Sequence, residues 1–262
     1  MRPLETVQRN ASLFTTNAVF IGRSLRHSLR NVEALLMAIM LPIMLMLLFT
    51  YIFGGALDPT GNYVNYVVPG IILLCAGFGS SSTAVDVATD MTNGIIDRFR
   101  TMPIRAASVI TGHVAASVVR NVLATCIVIL VALLVGFEPS ANVLEWLAAF
   151  GLIVLFILTF TWLFAAIGLV TGSPSAASGY GFALLFLPYL SSAFVPTHTM
   201  PSWIQGVANH QPITPVIETL RALLAGAPVG DNGWIALLWC AGLLLLALVW
   251  SAAAFRKKSG RR

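Results

Sequence analysis

The chain has 262 residues, of which 58% are hydrophobic and only 10% charged, against about 25% charged in a soluble globular protein. With a mean hydropathy of +0.87, this composition excludes a soluble enzyme or a disordered chain and indicates an integral membrane protein. Of fifteen basic residues thirteen are Arg, and the two lysines, Lys257 and Lys258, both lie in the C-terminal tail. No internal lysine can complete a Gly-x-x-x-x-Gly-Lys-[Ser/Thr] phosphate loop, which excludes that kind of ATPase site from this chain.

Residues 1–33 come first. Leu4, Val7, Ala11, Phe14, Ala18, Ile21, Leu25 and Val32 recur at helical spacing, while Arg23, Arg26 and Arg30 occupy another face. This is the pattern of a basic amphipathic helix lying along a membrane surface. It serves either as an interfacial anchor alone or also as a contact for a cytoplasmic partner, and amphipathicity does not separate the two. The first long apolar run begins near Ala34, later than a signal peptide would place it, so the N-terminus is expected to be retained.

A bilayer core takes about 20 mostly apolar residues as a helix. Six such spans are predicted in an all-α membrane protein: 34–53 with Pro42 as a kink, 66–85 ending in Ser80-Ser81-Ser82-Thr83, 106–136 containing Arg120, 147–170, 177–195 with Pro188 inside, and 234–255. Cys75, Cys126 and Cys240 each sit in an apolar run without Cys-x-x-Cys spacing, and read as small hydrophobes.

Basic residues orient the spans. With the N-terminus inside, the inner segments hold Arg2, Arg9, Arg23, Arg26, Arg30, Arg98, Arg100, Arg105, Arg256, Lys257, Lys258, Arg261 and Arg262. The outer segments hold only Arg221, and Arg120 lies within the third span. Both termini are therefore expected in the cytoplasm. The net charge of +5 follows from topology, so nucleic-acid binding is not needed to explain it.

The cytoplasmic loop after the second span, residues 90–103, places Ile95, Phe99 and Met102 at helical spacing among Asp97, Arg98 and Arg100, and Pro103 stops or bends the segment. Two readings follow: a solvated turn on the headgroups, or a short helix whose apolar knob docks in a partner. Composition by itself favours the turn.

In the third span His113, Ser117, Arg120, Asn121 and Thr125 form a polar stripe. Either Arg120 snorkels from a helix packed on its neighbours, or Ser117, Arg120 and Asn121 line a path through a dimer. The span cores carry no acid, since Asp86, Glu138 and Glu145 lie at their ends, which argues against a proton- or sodium-coupled transporter.

The outer segment 196–233 is apolar, nearly uncharged and interrupted by Pro201, Pro212 and Pro215. Two short helices dipping into the outer leaflet fit it. Glu218 and Arg221 are three residues apart and can pair on one turn, leaving a structural pair or a gating role open. His198 and His210 have no acid or nucleophile placed beside them. No catalytic set, metal cluster or cofactor site emerges. Such a chain is expected to borrow its energy from another subunit.

Two stretches carry a family resemblance. One is Gly94-Ile95-Ile96-Asp97-Arg98-Phe99-Arg100-Thr101-Met102-Pro103-Ile104. The other runs from Leu185 to Gly226 and includes Leu190-Ser191-Ser192-Ala193-Phe194-Val195-Pro196, Met200-Pro201-Ser202-Trp203, Asn209-His210-Gln211-Pro212-Ile213-Thr214 and Arg221-Ala222-Leu223-Leu224-Ala225-Gly226. The chain resembles, over almost its whole length, the permease of a bacterial ABC-2 type exporter, most closely the daunorubicin/doxorubicin-resistance subgroup. It departs from the usual Asn-Pro in that His210 and Gln211 separate Asn209 from Pro212.

The resemblance implies one transmembrane domain over residues 1–262 in the bacterial plasma membrane, paired with a second permease copy or paralogue. It also implies separate ATPase subunits that bind ATP and Mg and drive export; membership does not fix the cargo, and lateral access from the lipid with an apolar lining suits hydrophobic drugs, polyketides or lipids. The resemblance makes the 90–103 segment the coupling helix, with Gly94, Ile95, Asp97, Arg98, Phe99, Arg100, Met102 and Pro103 as its coupling residues. Residues 1–33 become a connecting helix at the same junction. Residues 196–233 become a re-entrant hairpin that helps close the outer gate, with Glu218 and Arg221 on it. A stand-alone channel or secondary transporter, and a scaffold that recruits an ATPase without transport, are the rival classes.

Overall fold

A computed structural model of the chain describes residues 32–59, 61–93 and 107–259. Every regular element among them is a helix. In hydrocarbon each backbone polar group must find a partner within the chain, and a helix provides those partners inside one segment.

Helix α1 covers Val32–Leu47 with Pro42 inside it. It continues through a π-helical turn, Leu48–Phe53, into a last turn at Gly54–Leu57. Pro42 has no N–H to give the carbonyl of Ala38, four residues back. That carbonyl instead faces the thiol of Cys75, whose Sγ lies 3.8 Å away. The cysteine read as a plain hydrophobe thus serves an acceptor that proline leaves free.

Helix α2, Tyr63–Thr92, overruns its predicted span at both ends. Val87 and Ala88 remain buried beyond residue 85, and nothing breaks the helix before Asn93. Asp90, Met91 and Thr92, expected in the following loop, therefore belong to α2. Helix α3 is Ala107–Val135 and α4 is Val143–Val170. A reciprocal cap starts α4: the Glu145 amide donates to Asn142 Oδ1 at 2.9 Å, and the Asn142 amide donates to Glu145 Oε2 at 2.7 Å.

The predicted fifth span, 177–195, takes a different form. Its first part is α5, Pro174–Leu184, started by Ser173 as N-cap and Pro174 at the first helical position. The chain then turns into a short 3-10 helix, Leu187–Leu190, and irregular backbone. Pro188 cannot supply an amide to Leu184, and Ser191 Oγ takes the Pro188 carbonyl at 2.5 Å. Five helices among the described residues are long and apolar enough to cross a bilayer: Ala38–Leu57, Tyr63–Thr92, Ile110–Val135, Val143–Val170 and Asn232–Phe255.

The segment predicted as two short helices forms α6, Ser202–His210, and α7, Ile213–Leu224. Pro201 and Pro212 sit immediately before them, where the missing N–H costs nothing. The last helix, α8, is Asn232–Ser259.

Helix α2 is the hub, touching α1, α3, α4, α5 and α7. Its Ile71, Ile72, Leu73 and Leu74 are fully buried with Phe156 and Phe164 of α4 and Ile213, Ile217 and Leu220 of α7. Helix α8 rests on α4 and α7. The hydroxyl of Thr159 reaches across from α4 to the Cys240 carbonyl at 3.3 Å. Large apolar side chains such as Met44, Leu130, Leu134, Leu245 and Val249 point outward and are exposed, as lipid-facing positions require.

The two ends of the bundle differ. At one end the start of α2 meets the turn after α3, with the Glu138 amide on Asn65 Oδ1 at 2.9 Å. There the Ser140 amide also bonds the Leu224 carbonyl at the end of α7 at 3.0 Å. This is the cap end. At the other end, α2 and α3 flank residues 94–106.

Candidate functional site

Two polar constellations stand out in this apolar bundle. The first is a seam between α2 and α3. Asp90 Oδ2 pairs with His113 Nε2 at 2.7 Å. Thr83 Oγ1 donates to Ser117 Oγ at 2.7 Å. Arg120 Nη2 donates to Ser82 Oγ, and the negative charge of Asp86 lies close enough to act on the guanidinium. Asn121 Nδ2 donates to Ser80 Oγ at 3.0 Å. Partner numbers fall on α3 as they rise on α2, so the seam is the contact line of an antiparallel pair.

Ser80 lies at its deepest point. Its single proton goes to the Ala76 carbonyl at 2.7 Å. Its oxygen therefore accepts both from Asn121 and from Thr161 Oγ1 of α4, 3.1 Å away. The seam thus joins three helices. Gly79 makes the approach possible: a Cβ there would stand 1.4 Å from Asn121 Oδ1.

Ser117, Arg120 and Asn121, the residues considered for lining a path, are all buried, the last to 1% exposure. Each bonds back to α2. His113 lies beside them with its carboxylate partner, and Thr125 is buried one turn deeper.

The second constellation holds the broken segment against the cap end. Leaving the helix frees its carbonyls, and side chains from elsewhere take them up. Tyr63 Oη donates to the Phe194 carbonyl at 2.6 Å, and Tyr66 Oη to that of Ser192 at 2.9 Å. Gln211 Nε2 donates to the Leu190 carbonyl at 2.6 Å.

Arg221 is the centre of this clamp. Its Nη2 donates to the Ser192 carbonyl at 2.8 Å, and Nε and Nη2 both reach the Tyr66 carbonyl, at 3.2 and 3.1 Å. Nη1 pairs with Glu218 Oε1 at 2.6 Å. The guanidinium also lies over the Tyr66 ring, 3.9 Å from its centroid. Ala193 rests against Gly70, where any Cβ would come within 2.7 Å of the Ala193 Cβ. Phe194 stacks on Phe49 of the π turn at 4.3 Å between ring centres.

The Glu218–Arg221 pair expected from spacing therefore exists, as one contact of a larger clamp. Tyr63 and Tyr66 were not singled out in the sequence, and Gln211 only as an interruption between Asn209 and Pro212. Their partners are main-chain carbonyls, which no side-chain pattern marks. The coupling residues Gly94, Ile95, Asp97, Arg98, Phe99, Arg100, Met102 and Pro103 lie outside the described residues, as do residues 1–31. Among the described residues no group of three His, Cys, Asp or Glu could hold a metal ion. The seam is built from neutral hydroxyls, an amide and paired charges, a set suited to fastening helices rather than to bond-making chemistry.

Comparison with known proteins bears on what such a bundle does. The family described as ABC-2 type transporter matches residues 17–225. The chain is 30% identical over 223 residues to the daunorubicin resistance ABC transporter permease protein DrrB1 of Streptomyces coeruleorubidus, covering 84% of this chain and 79% of that one. It is 24% identical over 257 residues to the probable doxorubicin resistance ABC transporter permease protein DrrC of Mycobacterium tuberculosis, covering 96% and 92%. A putative transport permease, ycf38, of Cyanophora paradoxa is 26% identical over 203 residues, covering 74% and 69%.

Proposed function

The chain belongs to the ABC-2 type transporter family and is the permease subunit of an ABC exporter; on that premise we propose that it forms the path for a hydrophobic or amphipathic cargo, powered by ATPase subunits on separate chains. The names of the relatives, daunorubicin resistance and doxorubicin resistance, support a drug, polyketide or lipid as cargo.

The observation that carries the mechanism is the reach of α2. This one helix of 30 residues spans about 45 Å. It carries Asp90 beside residues 94–106 and Tyr66 in the clamp. The seam fastens α3 and α4 to it. A push delivered near residue 93 is in this reading handed along α2, past Pro69, to the backbone that Arg221 holds.

In this reading residues 94–103 dock on the ATPase, with Phe99 and Met102 as the apolar knob and Asp97, Arg98 and Arg100 setting its orientation. The 1–33 helix meets the same junction. Both termini are cytoplasmic in a plasma membrane. Residues 196–233 close the outer end, and two permease copies or paralogues enclose the path. ATP and Mg bind only to the partner subunits.

Inside-out vesicles containing the chain and its co-purifying ATPase test the proposal, with rhodamine 6G as the transported dye. ATP-dependent uptake that needs both proteins is the expected result. Dye flux through the purified chain without an ATPase would make it a channel or secondary transporter. A complex that hydrolyses ATP but moves no dye or lipid would make it a scaffold.

A further inference from the structure

We propose that a groove between α4, α7 and α8 is a binding site for one hydrocarbon chain of a bilayer phospholipid. The groove encloses about 430 Å³ and is lined by Gly151 and Leu155 of α4, Thr219 and Leu223 of α7, and Trp234 and Leu237 of α8. Two of its three walls are bilayer-crossing helices, so it opens at the depth of lipid. Trp234 is the third residue of α8 and 73% exposed. Its amphipathic ring suits the headgroup boundary, with Leu237 and Leu155 reaching towards the acyl region.

The lining selects the occupant. Of its two side chains with a polar group, Thr219 already gives its proton to the Pro215 carbonyl at 2.7 Å, and Trp234 carries its indole N–H at the end where α8 begins. Away from Trp234, a polar ligand would lose its water there and find no free side-chain donor. The volume falls at the small end of ligand cavities, about 300–1,000 Å³.

Gly151 shows that the space does not serve helix packing. A Cβ at Gly151 would meet nothing within 4 Å, so the wall is left open rather than pressed on a neighbour. Thr219 and Leu223 also lie on the face of α7 opposite Glu218 and Arg221, given 3.6 residues per turn. A lipid chain in the groove braces the helix that carries the clamp.

Photolabelling of the full-length chain tests this without any ATPase. The chain is placed in phosphatidylcholine nanodiscs containing a trace of phosphatidylcholine with a diazirine on one acyl chain, and labelled residues are mapped by mass spectrometry. Leu155, Leu223 and Leu237 should label about tenfold more strongly than Leu245 and Val249, a difference of about 1.4 kcal/mol in occupancy. Gly151→Leu, and separately Ala148→Phe, at a position that also lines the groove from α4, should remove that excess while leaving labelling at Leu245 and Val249 unchanged.

Equal labelling at groove and control positions, or an excess indifferent to both substitutions, overturns the proposal. Loss of the excess on adding rhodamine 6G would assign the groove to exported cargo instead. Disulfide-linked dimers through Gly151→Cys would assign it to a second copy.

Discussion

Arg221 and Tyr66 are 155 residues apart in sequence, yet they meet twice. The guanidinium covers the tyrosine ring at 3.9 Å and also bonds that residue's own carbonyl. One side chain thereby ties α7 to the start of α2, and through Ser192 it ties both to the irregular segment between α5 and α6.

Arg221→Ala should therefore destabilise the protein well beyond the loss of one surface pair. It removes the guanidinium donors from the Tyr66 and Ser192 carbonyls, the latter keeping only Tyr66 Oη, and leaves Glu218 without its partner, a cost of about 2 kcal/mol or more. For a chain of this length that lowers the melting temperature by about 5 °C. Arg221→Lys keeps the charge but not the planar fork, and should recover only part of the loss. Thermal unfolding in detergent micelles checks both, and a wild-type melt for Arg221→Ala would contradict the clamp.

Gly79→Ala should push Asn121 out of the seam, because the new methyl occupies the place of Asn121 Oδ1. The expected cost is about 1–3 kcal/mol. Asn121→Ala combined with Gly79→Ala should cost less than the separate effects added together, since removing the amide also removes the clash. Strict additivity in denaturant or thermal melts would show that the two residues do not meet.

The register of the seam is open to chemical test. Thr83→Cys and Ser117→Cys replace hydroxyls 2.7 Å apart, close enough for a disulfide once the sulfurs rotate. With the exposed Cys126 changed to Ser, mild oxidation should form this bond quantitatively. The pair Thr83→Cys and Val119→Cys should not react, as Val119 is 40% exposed and faces outward. If α2 and α3 move as one unit, the cross-linked protein should still export.

Phe99→Ala and Asp97→Arg should each reduce ATP-driven efflux about tenfold, on the scale of typical coupling energies. Membrane insertion and the melting temperature should stay unchanged. ATPase activity of the complex should persist without efflux. Normal export by both variants would remove residues 94–103 from the coupling role.

The sequence alone determined the class of solvent, the helical secondary structure and the separation of basic from apolar segments. These follow from local quantities: hydropathy over about 20 residues, helical spacing, and the count of Arg and Lys by segment. The spacing of Glu218 and Arg221 was also enough to foresee their pairing, and the serine run ending the second span and the stripe on the third were both visible as polar.

What only the tertiary structure decided is whom those groups serve. Ser117, Arg120 and Asn121 turn to α2 because Gly79 lets the two helices close over an amide. Residues 177–195 leave the helix after Leu184, ahead of Pro188, and the irregular backbone persists because Tyr63 and Tyr66 of α2, Gln211 of the turn before α7 and Arg221 of α7 supply donors. A main-chain carbonyl is the same at every residue, so its pairing with a distant side chain has no signature in one dimension. It exists only once packing has brought the two together.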